Sequence, residues 1–179
     1  MSNAGTITAF RPDNELGSAL LTFVNSLESD RASRAALARC RAPVDVIAVP
    51  EYHRLCARLQ PLIGDDYHWQ ERMAAVVGLI STIKSKDDDE GIALRMARSS
   101  GERPRVSELR FRRLLKTEGR DSDRFYPAMR RILALLEHKA NPLEVARATY
   151  FWDDRFRGPG IRRDWAFAYF SALPNRKLG

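Results

Sequence analysis

Apolar side chains return every three or four residues from one end of this chain to the other, and no convincing stretch alternates apolar with polar. That spacing puts apolar groups on one face of a helix and cannot fill one side of a strand. The chain is therefore expected to be all-α, with about nine helices in two small bundles. Leu16, Leu20, Phe23, Val24 and Leu27 share a face in a first helix from about Asn14 to Leu27. Ser29 or Asp30 can cap a second helix, with Ala36, Leu37 and Cys40 inward. Pro50 suits the first turn of a third, which runs through Leu59 and is ended by Pro61 and Gly64. Asp65 or Asp66 opens a fourth, from Tyr67 to about Lys84.

The run Ser85-Lys-Asp-Asp-Asp-Glu-Gly91 has no apolar residue and reads as a solvated junction; no ligand pattern of an EF-hand kind follows it. Beyond it come a short helix from Ile92 to Arg98, a Gly/Pro break, a helix capped by Ser107 that runs to Lys116, and one from about Asp123 to His138. Asn141-Pro142-Leu143-Glu144 gives a cap, a first-turn proline and an acid in order, starting a helix that ends near Trp152. The last helix, about Pro159 to Leu173, is apolar almost all round, which makes it central to its bundle or covered on one side by a partner. The expected organisation is a vector remnant (Met1-Ser-Asn-Ala) and disordered N-terminus over 1–9, an N-terminal helix bundle over 10–90, and a C-terminal basic bundle over 91–179.

Charge divides at the same junction. Residues 1–90 carry 10 basic and 13 acidic side chains, net −3, and residues 91–179 carry 20 and 10, net +10. Five of the 30 basic residues are Lys; a codon preference for Arg explains part of that skew but not its placement. A half that binds polyanions would produce it. Two cysteines, Cys40 and Cys56, fit a reducing compartment, and no apolar run approaches the ~18 residues that cross a bilayer, so a cytoplasmic protein is expected.

Catalysis has little to stand on. His53, His68 and His138 lie far apart, His53 with Cys56 lacks a second ligand pair, and Gly158-Pro-Gly160 is too short to cradle a phosphate. No metal or cofactor is expected, and Asp153-Asp154 reads as a helix end rather than an acid and base. The arginines, by contrast, are arranged. Arg34 and Arg41 lie together on the second helix beside its apolar face, and Arg112, Arg113 and Lys116 do so on the helix after Ser107, with Arg110 at the margin. Only Glu108 and Glu118 lie near enough to neutralise that second stripe. Arg130 and Arg131 flank the stripe Phe125, Met129, Ile132, Leu133, Leu136. Arg162 and Arg163 fall near the start of the last helix, where its dipole disfavours cations and a phosphate would be held by side chains and amides together; Asp164 is the competing partner. No base-reading motif accompanies these groups; Tyr150, Phe151, Trp152, Trp165, Tyr169 and Phe170 could stack on bases, but their helical spacing favours packing.

The ordered series Asp30-Arg-Ala-Ser-Arg-Ala-Ala-Leu37-Ala-Arg39, Gly91-Ile-Ala-Leu94, Leu109-Arg-Phe-Arg-Arg-Leu-Leu115, Met129-Arg-Arg-Ile-Leu133, Trp152 and Ile161-Arg-Arg-Asp-Trp-Ala-Phe-Ala-Tyr-Phe170 resembles the CasB family, the small subunit of the type I-E CRISPR surveillance complex Cascade. The chain departs from it at Leu37-Ala38-Arg39, where the family tends to Leu-Arg-Arg. The resemblance implies a non-enzymatic helical subunit, present in two copies beside the backbone and large subunits. It would hold the displaced non-target strand and the crRNA–target hybrid by phosphate contacts, without a membrane and without reading bases. It also implies Arg39, Arg110, Arg130, Arg131, Arg162 and Arg163 as contacts; the helical faces add Arg34, Arg113 and Lys116. Two other classes stay open. One is a stand-alone DNA-binding regulator reading bases with the Arg110–Lys116 helix, and the other is a protein-interaction module whose charge is codon usage. Replacing Arg162 and Arg163 with Ala is expected to weaken nucleic-acid binding and leave the melting temperature nearly unchanged.

Overall fold

Each periodic segment becomes a helix because its apolar stripe is buried against another such stripe. The computed structural model describes residues 10–63, 66–87 and 89–173; the expected remnant and tail at 1–9, and the helix-ending Gly64, lie outside them. Ten α-helices occur among the described residues: α1 (Glu15–Ser29), α2 (Arg31–Arg39), α3 (Pro43–Ile47), α4 (Pro50–Ile63), α5 (Trp69–Ile80), α6 (Ile92–Ala97), α7 (Glu108–Leu115), α8 (Phe125–Leu135), α9 (Pro142–Phe151) and α10 (Gly158–Ala172).

The caps follow residue chemistry. Asn14, Asp30, Ser107 and Asn141 each accept a backbone N–H of the first turn they precede, at 2.7, 3.0, 3.4 and 2.9 Å respectively. The additional helix, α3, has Pro43 at its first position, and Asp45 accepts from the Arg41 and Ala42 amides. It lacks the two turns that a periodic pattern needs to be visible in sequence. Pro61 sits inside α4 rather than ending it. α5 starts later than expected because His68 takes a left-handed conformation (φ 65°). Glu137 and His138 (both φ 58°) stop the chain after α8.

Strand pairing, which the sequence reading did not foresee, is confined to two-residue pieces. β1 (Ser85–Lys86) runs parallel to β4 (Lys139–Ala140), and β2 (Ser99–Ser100) pairs with β3 (Arg103–Pro104) across a turn that Gly101 makes at φ 77°.

α5 is the centre of the molecule. Met73, Val76, Val77, Leu79 and Ile80 are at most 1% exposed, and the helix packs most extensively on α9 while also meeting α2, α3, α4 and α8. The buried side chains of both halves form one hydrophobic cluster, so the core continues through the point where the charge changes. A Cβ at Gly78 would lie 2.2 Å from the Tyr126 hydroxyl, which donates to the Cys40 carbonyl at 3.0 Å; only glycine lets α5, α8 and α2 meet there.

The junction is solvated only in part: Ser85, Asp89 and Gly91 are exposed, but two of its acids are drawn into an ion-pair network. Asp87 is 7% exposed and its carboxylate takes ion pairs from Arg95 and from Lys139 (3.8 Å), while its own N–H donates to the Ala140 carbonyl. Glu90 pairs with Arg95 (3.6 Å) and Arg98. Burial, then repulsion from Arg105 and Arg98, lowers the Arg95 guanidinium below its ordinary pKa. Beside this network, Glu144 reaches out of α9 to accept the Ile92 amide at 2.9 Å, joining α9 to the start of α6; burial raises its pKa.

Candidate nucleic-acid interface

The nine basic residues singled out in the sequence divide by what their side chains touch. Arg34, Arg130 and Arg162 are half-buried and spend donors on backbone carbonyls: Arg34 on Ile83, Arg130 on Ala38 at 2.9 Å, Arg162 on Trp152 at 2.6 Å. Arg39, Arg110, Arg113, Lys116 and Arg131 are exposed, and among the described residues no carboxylate pairs with them. Arg163 is exposed and pairs only with its neighbour Asp164, at 3.0 Å.

Two groupings result. The first lies where α2, the end of α5 and α8 meet. Arg34 and Arg130 reach across it, and the Lys84 amide donates to the His138 carbonyl. Nη1 of Arg130 and Nδ1 of His138 are buried without a hydrogen-bond partner among the described residues. Desolvation, then Lys84, Arg130 and Arg34, hold the His138 imidazole below its usual pKa, so the ring is neutral at pH 7 and the cations around it keep their positive field.

The second grouping joins the C-terminal end of α7 to the α9–α10 turn. The Trp152 indole N–H donates to the Thr117 carbonyl, the Gly119 amide to Asp153 at 3.3 Å, and Arg162 pairs with Glu118 at 2.5 Å. These contacts tie the C-terminal end of α7, which carries Arg113 and Lys116, to the α9–α10 turn, which carries Arg155 and Arg157, and to the start of α10. Glu108 is taken by Arg112 (2.6 Å) and Glu118 by Arg162, so the two carboxylates near the α7 stripe leave Arg110, Arg113 and Lys116 uncompensated. Arg155 and Arg157 were missed in the sequence because Asp153 and Asp154 beside them look neutralising. Those acids also accept from the backbone amides of Gly119, Phe156 and Arg157.

Arg162 and Arg163 do not sit in the first turn of the last helix. α10 begins at Gly158, so Arg162 and Arg163 lie in its second turn, and the leading amides of Gly158 and Ile161 are already bonded to Asp154 and Arg157 carbonyls. Arg162, 15% exposed in its side chain, clamps α10 onto Trp152 and the α7 end. Its replacement by Ala is therefore expected to lower stability by roughly 1.5–3 kcal/mol, the range for hydrogen bonds to a charged group. Arg163→Ala, at 68% exposure, should stay within about 0.5 kcal/mol of wild type. Separate thermal melts check this, and equal shifts for the two variants would contradict it.

Five of the six aromatics near the C-terminus (Tyr150, Phe151, Trp152, Trp165, Tyr169) are buried, as their spacing requires. The face of α10 opposite Ile161, Trp165 and Tyr169 is open, with Phe167 71% exposed. Among the described residues there is no helix long and apolar enough to cross a membrane and no group of three His, Cys, Asp or Glu side chains able to hold a metal ion.

Residues 33–170 match the family model of CRISPR-associated protein Cse2. The fold is similar to that of a chain in the crystal structure of E. coli Cascade bound to a PAM-containing dsDNA target. That likeness has a TM-score of 0.59 at 19% identity, and it covers 84% of this chain and 96% of the other. A search of curated proteins finds no match.

Proposed function

This chain belongs to the CRISPR-associated Cse2 family, and we propose that it is a non-catalytic, nucleic-acid-binding small subunit of a crRNA-guided Cascade complex. Its partners would be the other Cascade subunits, a second copy of itself, crRNA, and target and displaced DNA. The observation that carries the reading is the α7/α9–α10 corner, where Arg113 and Lys116 are exposed and no carboxylate among the described residues pairs with them. Phosphate oxygens are the ligands such groups suit, and contacts of this kind fix position without reading sequence. R-loop formation is a near-balanced exchange of one duplex for another, so a few phosphate contacts on the displaced strand and on the guide–target hybrid can tip it. Arg39, Arg110, Arg113, Lys116, Arg131 and Arg163 would make those contacts. Arg34, Arg130 and Arg162 would hold the helices that present them.

A salt series tests the reading. With about six phosphate contacts on a single strand, the slope of log affinity against log salt should lie near −4, at roughly −0.7 per contact, and should not change with base sequence. Strong preference for one duplex sequence would identify a base-reading regulator instead. Absence of binding even at low salt would leave a protein-interaction module.

A further inference from the structure

The turn between α9 and α10 holds a feature that phosphate binding does not require. Phe156 is 83% exposed, more than any other large apolar side chain among the described residues. Its position is set by a rigid turn. Asp154 accepts the Phe156 and Arg157 amides at 2.9 and 2.8 Å, and the Gly158 amide donates to the Asp154 carbonyl at 2.9 Å. A Cβ on Gly158 would meet the Trp152 carbonyl oxygen at 2.3 Å, so the chain is packed too closely there for any other residue. The backbone of the turn is thus fixed by its own hydrogen bonds, and the Phe156 ring stands in water.

Its surroundings identify what would cover it. The Arg155 guanidinium lies 5.5 Å from the Phe156 ring centroid, Arg157 lies against Phe151 at 4.3 Å, and the turn is tied to the α7 end that carries Lys116. A lone aromatic on a basic ground is too small an apolar patch to dock a protein surface. It matches an unpaired nucleobase, which offers a flat π-face joined to phosphates for the neighbouring cations. Bases within a duplex are already stacked on both faces and are not available in this way.

We infer that Phe156 is a stacking platform for an unpaired base of a single strand, with the exposed Arg155 on a flanking phosphate. This rests on the nucleic-acid reading above and adds a component that recognises single strands.

The test is binding of the full chain at low salt to a single-stranded 20-mer, to an abasic strand of equal length and charge, and to a duplex. Phe156→Ala should weaken binding of the base-bearing strand by at least about fivefold, the lower end for one base–aromatic stack, and leave the abasic strand and the duplex unchanged. Phe156→Trp should restore it. Unchanged binding of the base-bearing strand by Phe156→Ala would overturn the inference while the nucleic-acid reading stood. Equal weakening of all three ligands would also overturn it, showing that the turn acts through charge or packing. If the wild type binds none of them, both readings fall together.

Discussion

Replacing Asp87 with Ala is expected to cost about 3–5 kcal/mol of folding stability, the largest single-residue effect foreseen for this molecule, and to lower Tm by roughly 10 °C. The carboxylate is 8% exposed and answers both Arg95, itself 13% exposed, and Lys139. Among the described residues, its removal leaves a buried guanidinium with only Glu90, at 3.6 Å and already engaged by Arg98. The cost comes chiefly from the stranded charge, since a buried ion pair gains little over an apolar pair of the same shape. A second variant separates these contributions: Asp87→Ala combined with Arg95→Met should recover part of the lost stability. If the double variant is less stable than Asp87→Ala alone, the charge argument fails.

The features visible in the sequence were those set by local rules. Leu16 to Leu27, the Phe125 to Leu136 stripe and the Asn141 cap each specify a helix by spacing or by a side chain near its own backbone, and all three are helical in the structure. What escaped depended on residues distant in sequence. Ser85 to Gly91 looks solvated because nothing within it is apolar. The partners that bury Asp87 are supplied by Arg95 on α6 and by Lys139 beyond α8, and the Ile92 amide is answered by Glu144, 52 residues away. Glu144 was assigned to its own helix start and serves another. The charged surface was legible in the same partial way. Helical faces identified Arg113 and Lys116, but only the fold reveals that Arg34, Arg130 and Arg162 turn inward onto carbonyls. It likewise takes the fold to tie the turn that carries Arg155 and Phe156 to the end of α7.

Exchange of Arg113, Lys116 and Arg163 together for Gln should reduce affinity for single-stranded DNA on the order of a hundredfold at low salt, at roughly 1 kcal/mol for each charge-assisted contact. The slope of log affinity against log salt should become shallower by about 2, because three phosphates are no longer neutralised. All three side chains are exposed, and Arg163 alone has a carboxylate partner, so Tm should move little. A matched triple in the other half, Arg11, Arg54 and Arg58 to Gln, removes the same formal charge from an equally exposed surface around α1 and α4. If binding responded to net charge alone, the two triples would be equivalent. A localised interface requires the first to act and the second to leave both affinity and slope near wild type, because charges more than a Debye length of about 10 Å from the bound phosphates are screened at 0.1 M salt. Equal losses in the two triples would therefore remove the α7/α9–α10 corner as the binding surface.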